Sequence, residues 1–125
     1  MSLYDMNSKT MRVGFIENGD AYKGVSMAAE GAPVDMAIIQ IEGRYPSEGE
    51  WAVNHEVHEM VHVTRGFGSV AVRGAQMQEL RAGDTVHVAP GQYFAWDGHM
   101  ELAMACSPPF SPGQYEVVKE GNDEV

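Results

Sequence analysis

Glycine and proline punctuate this chain so often that no ordinary helix fits between them. Gly31 to Pro33, Gly43 to Pro46, Gly49, Gly66 to Gly68, Gly74, Gly83, Pro90 to Gly91, Gly98 and Pro108 to Pro112 leave segments of about 5 to 9 residues. The composition of those segments agrees with strands. Met36–Ile41, Val61–Thr64, Ser69–Val72, Thr85–Val88 and Leu102–Cys106 are rich in β-branched or bulky apolar residues. An all-β domain follows, and regularly spaced short strands must bury one face by forming a sandwich, a jelly roll or a barrel. Alternation at Val61 and Val63, and at Leu102, Met104 and Cys106, supplies that face.

With 125 residues there is room for one core, which buries roughly two-thirds of the unfolded surface. The expected organisation is a flexible N-terminus over 1–10, a single domain over 11–118 and an acidic tail over 119–125. No apolar run approaches the ~20 residues of a membrane span. Eighteen acidic against eight basic residues give a net charge of -10, and the bases are scattered, which argues against nucleic-acid and anionic-membrane partners. The one cysteine, Cys106, excludes an internal disulfide and fits a reducing, cytoplasmic compartment; it reads as a small buried apolar side chain.

The strongest chemical signal is the stretch His55-Glu56-Val57-His58-Glu59-Met60-Val61-His62, three imidazoles with two carboxylates between them. Such side chains suit Zn, Fe, Mn, Ni or Cu when three or four converge on one point. Residues 58–62 spell H-E-x-x-H, but zinc proteases need that string on a helix, and here it runs into Val63-Thr64-Arg65-Gly66 with no helical continuation. A strand–turn–strand passage is the better reading, with His55 and Glu59 on one side and His62 on the other.

At these residues the chain resembles the cupin family. His55, Glu59 and Gly66 stand at the second His, the Glu and the final Gly of that family's first motif; Gly83 and Gly91 match the second motif, with Pro90 displaced by one position. Ser47, Val53, Phe94 and Gly98 stand where the family has a Gly, a His, a His and an Asn, so two of four expected ligands are apolar. The resemblance implies a double-stranded β-helix, a small jelly-roll barrel with a pocket, that pairs as a homodimer. In that register Trp51, Val53, Phe94 and Trp96 form an aromatic, apolar pocket wall, or else plain core packing. His58 could join His55 and Glu59 in a three-ligand metal site if it swung inward, and His87 would face inward if a bulge shifted its strand. The proline-rich segment 106–115 is expected to cross the outside of the barrel as a lid or brace.

Two functional readings follow. The first is a cupin that binds a small molecule in its pocket without metal; the second is a metal-dependent enzyme, an oxygenase, isomerase or lyase, using His55, His58 and Glu59. No residue specifies the substrate.

Overall fold

The computed structural model describes residues 11–120; the expected N-terminal stretch 1–10 and residues 121–125 of the acidic tail lie outside the described residues. Nine strands, β1 (Met11–Glu17), β2 (Tyr22–Ala29), β3 (Asp35–Glu42), β4 (Glu50–Asn54), β5 (His58–Val72), β6 (Gln78–Arg81), β7 (Thr85–Val88), β8 (Tyr93–Ser107) and β9 (Tyr115–Lys119), form one curled sheet, interrupted by a single 3-10 turn at Pro112–Gln114. The all-β expectation holds. The five segments read as strands lie within β3, β5, β7 and β8. Among the described residues no helix is long and apolar enough to cross a membrane.

Two 15-residue strands organise the sheet. β5 and β8 pair antiparallel from His58 opposite Ser107 to Val72 opposite Phe94. The other edge of β8 pairs with β3 over residues 99–106 and then with β4 at Tyr93 and Phe94. β1 and β2 extend β3 outward, β9 adds to β4, and β6 and β7 pair with β5.

The pairing registers stack the interior in layers, because inward side chains of adjacent strands fall side by side. Ile39, Leu102 and Val63 form one row across β3, β8 and β5; Ala37, Met104 and Val61 form the next; Asp35, Cys106 and Glu59 form the row at the end of the sheet. The first two rows are buried and apolar, joined by Ile41, Met100 and Trp96. The third carries two carboxylates.

Where the sequence reading ended one strand and began another, at Gly66 to Gly68, the structure keeps a single strand. A register shift between Val63 and Arg65 bends β5 there. Gly66 takes φ +85°, and a Cβ on it would lie 2.1 Å from the His99 carbonyl oxygen, so only glycine lets β8 approach. Gly91 has the same φ of +85° with nothing within 4 Å of a Cβ. The pair separates backbone strain from close approach. Gly91→Ala should cost about 1–2 kcal/mol, the left-handed penalty alone. Gly66→Ala should cost at least about 2 kcal/mol more, since the β5–β8 contact must open. Urea denaturation of both variants measures the difference.

Candidate active site

Above the layered core the open end of the barrel holds a cavity of about 490 Å³. Its floor is Met104 and the row of Glu59, Cys106 and Asp35; its walls are Phe15, Ile16 and Tyr22 from β1 and β2; its roof is Phe110, Pro112 and Tyr115. The proline-rich segment therefore covers the mouth rather than running only along the outside. Hydrogen bonds dock it at both ends: the Phe110 backbone N–H donates to Asp35 Oδ2 at 3.0 Å, Gln114 Nε2 donates to Asn54 Oδ1 at 2.8 Å, and the His55 backbone N–H donates to the Gln114 carbonyl at 2.9 Å.

Glu59 is the buried charged group of this site, with 5% of its surface exposed. Asn54 Nδ2 donates to its Oε2 at 3.1 Å, and Asn54 is itself fixed by Gln114, whose Oε1 accepts from the Glu56 backbone N–H at 3.0 Å. Oε1 of Glu59 is buried without a partner. A buried carboxyl oxygen left unpaired favours the protonated form, because the charged form gives up more hydration than one neutral hydrogen bond returns. Burial accordingly pushes the Glu59 carboxyl up to about 7; the Asn54 hydrogen bond opposes the rise and the charge of Asp35 adds to it. Near neutral pH both forms are populated.

Three tyrosines stand over this carboxyl. The Tyr22 and Tyr45 rings meet at a tilt with centroids 4.4 Å apart, and the Tyr45 and Tyr115 hydroxyls are hydrogen-bonded. Burial raises the Tyr22 phenol well above its ordinary value, with the Glu59 charge a further cause; burial and then Tyr45 raise Tyr115. All stay protonated at neutral pH, so each hydroxyl keeps a proton that it can donate. Burial likewise pushes the Cys106 thiol up, which keeps it an unreactive thiol in the wall.

The structure corrects several expectations drawn from the sequence. His55 does not share the inner face with Glu59: it lies in a bend between β4 and β5, exposed, with Nε2 2.6 Å from Glu116 Oε1 on β9. Strand alternation cannot be carried across that bend. His58 faces outward, its Nδ1 2.9 Å from Nε2 of His87, which is also on the outer face and not turned inward by a bulge. His62 is exposed as expected, bonded to Thr85 at 2.7 Å. His55, His58 and Glu59 thus point to different sides of the sheet. Among the described residues no group of three or more His, Cys, Asp or Glu could hold a metal ion, so the donor set does not fit one. The H-E-x-x-H string lies on β5, a strand, which removes the helix that the protease reading requires.

The expected pocket wall is core. Phe94 and Trp96 are 2% and 0% exposed, with Phe94 edge-on to Trp96, and neither reaches the cavity; Val53, though fully buried, pairs with Tyr93 while Ala52 pairs with Phe94, so it lies on the other face of β4 and does not share their wall. Trp51 is half-buried, under the Arg44 guanidinium and with Nε1 donating to Glu120 at 3.2 Å. The face was read correctly for Phe94 and Trp96, but side chains fill that end of the barrel. Asn54, Gln114, Tyr22 and Tyr115 carry no local motif; they meet only when β2, β4 and β9 close around Glu59.

Residues 46–102 match the model of the EutQ-like cupin domain. The chain has the cupin fold. No curated protein sequence matches it significantly. A tyrosine-to-phenylalanine variant of Streptomyces Pac13 with uridine superposes with a TM-score of 0.73 at 14% identity, covering 99% of this chain and 97% of that one; a further structure describes Pac13 as a nucleoside dehydratase. Ectoine synthase from P. lautus gives 0.65 at 12% identity over 82% and 80% of the chains, and KdgF from Halomonas sp. 0.60 at 13% over 76% and 87%. These likenesses establish the cupin fold.

The raised Glu59 carboxyl makes stability depend on pH with a definite sign. Folded, Glu59 keeps its proton up to about 7, while the unfolded chain releases it near the ordinary 4.5. Between those values the unfolded state binds fewer protons, so stability falls as pH rises through the window. The loss attributable to this group is on the order of 3 kcal/mol. Glu59→Gln should flatten the decline between about pH 4.5 and 7, seen in thermal melts across that range.

Proposed function

We propose that this cupin binds a small, hydroxylated organic molecule in the cavity without a metal, and moves a proton on it through Glu59. The observation that carries the reading is the unpartnered Oε1 of a carboxyl held at about 7 at the cavity floor. Such a group can give a proton to a departing hydroxyl, or as carboxylate take one from a carbon next to a carbonyl; its pKa near the operating pH suits both roles. Tyr22 and Tyr115, protonated and lining the same cavity, would orient oxygen atoms of the ligand and steady negative charge that develops on them. Asn54 and Gln114 act as positioning residues, since they hold the carboxyl by its other oxygen. The description of Pac13 as a nucleoside dehydratase, and its structures with uridine, support removal of water from a hydroxylated molecule as the reaction class.

The second reading, a metal-dependent enzyme, requires His55 and His58 to converge on Glu59, and their side chains leave the sheet on its outer side. Exchange chemistry tests the choice. In deuterated buffer with a panel of neutral hydroxylated compounds, uridine among them, proton NMR follows carbon-bound hydrogens that wash out and unsaturated products that appear. For a compound that reacts, Glu59→Gln should lower the rate by at least about 100-fold. His55→Ala, His58→Ala and a chelator should leave it within about 2-fold, as expected for groups remote from the chemistry. An undiminished rate in Glu59→Gln, or a rate abolished by the chelator, would overturn the proposal.

A further inference from the structure

The charge of the cavity lining restricts what can enter it. Three ionisable carboxylates, Glu17, Asp35 and Glu59, face the cavity, and among the described residues none of its lining side chains is Lys, Arg or His. Lys23, beside the lining residue Glu17, lies 3.8 Å from it and 3.6 Å from Asp20, so two carboxylates already share it. Asp35 accepts the Phe110 backbone N–H, and Cys106 beside it is a neutral thiol. An entering anion would meet like charge on the wall and floor, with no cation among the described lining residues to offset it, in a cleft whose low-dielectric sides weaken screening. The chain's net charge of -10 adds to that field.

The mouth is aromatic as well as acidic. Phe110 lies edge-on to Tyr115 at 5.7 Å, and Phe15 across the opening is 89% exposed. Flat apolar faces of this kind at a cavity rim suit a planar ring, and with carboxylates behind them they also suit a cation.

We infer that the cavity selects a neutral or cationic molecule bearing a planar ring and rejects the corresponding anion, so that phosphorylated or carboxylated relatives of the ligand are excluded by charge. This rests on the cavity being the ligand site, as proposed above, but not on proton transfer by Glu59.

Three probes with one ring and different charge isolate the effect: indole-3-ethanol, tryptamine and indole-3-acetate, titrated into the protein at about pH 8, where Glu59 is mainly ionised. The alcohol and the ammonium should bind at least about tenfold more tightly than the carboxylate. Glu17→Gln combined with Asp35→Asn should shrink that ratio, and so should raising salt in the unaltered protein, which serves if the double variant does not fold. Phe110→Ala should weaken all three probes alike. Equal or tighter binding of the carboxylate, a ratio indifferent to both salt and the double variant, or no binding by any of the three would overturn the inference. Because these titrations read affinity alone, an exchange rate undiminished in Glu59→Gln would overturn proton transfer by Glu59 and leave this inference standing on the charge ratio of the unaltered protein.

Discussion

The pairing of β5 with β8 is the constraint on which the rest of the molecule depends. Because each strand runs 15 residues, the pair is long enough to belong to the packed end of the barrel at Val70 and Trp96 and to the open end at Glu59 and Cys106. A straight ribbon of that length could not enclose a core, so it must bend, and the bend is made where β5 shifts register after Val63 and Gly66 admits the β8 backbone. Every other strand attaches to this ribbon directly or through one neighbour, except β1, which reaches it through β2 and β3. The layers of inward side chains inherit their alignment from it.

That alignment also explains why a carboxylate sits where its charge is disfavoured. Glu59 occupies an inward position as regular as Val61 and Val63, two and four residues further along, and differs from them only in lying in the last row before the cavity. An apolar residue there would fold at least as well, since an ionised carboxyl in a dry wall costs free energy that Asn54 only partly offsets. Stability and site chemistry pull in opposite directions at this position. The raised carboxyl, the unpaired oxygen and the tyrosines above it are one arrangement seen from different sides.

The histidines show how far local pattern can mislead. Density of imidazole in residues 55–62 is a property of the sequence, but convergence is a property of space. One bend after Asn54 sends His55 toward Glu116 on β9, and strand parity sends His58 toward His87 on β7. The outer face collects the imidazoles while the inner face keeps Glu59 alone. Parity did identify Glu59 as inward and His62 as outward, because both lie within an uninterrupted part of β5.

What the sequence by itself determined was the strand content and the fold. Short segments between glycines and prolines cannot be helices, and the spacing of Glu59, Gly66, Gly83 and Gly91 marks positions whose backbone or facing the barrel needs. Only the tertiary structure decided which end of the barrel is open and what stands around it. Phe94 and Trp96 point inward in either case; whether they line a pocket or fill a core depends on how much volume the opposing strands leave. Likewise Asn54, Gln114, Tyr22 and Tyr115 are unremarkable apart, with Gln114 lying 60 positions from the Asn54 it bonds, and no periodicity links them. Their meeting around Glu59 is set by long-range pairing, which local sequence pattern does not encode.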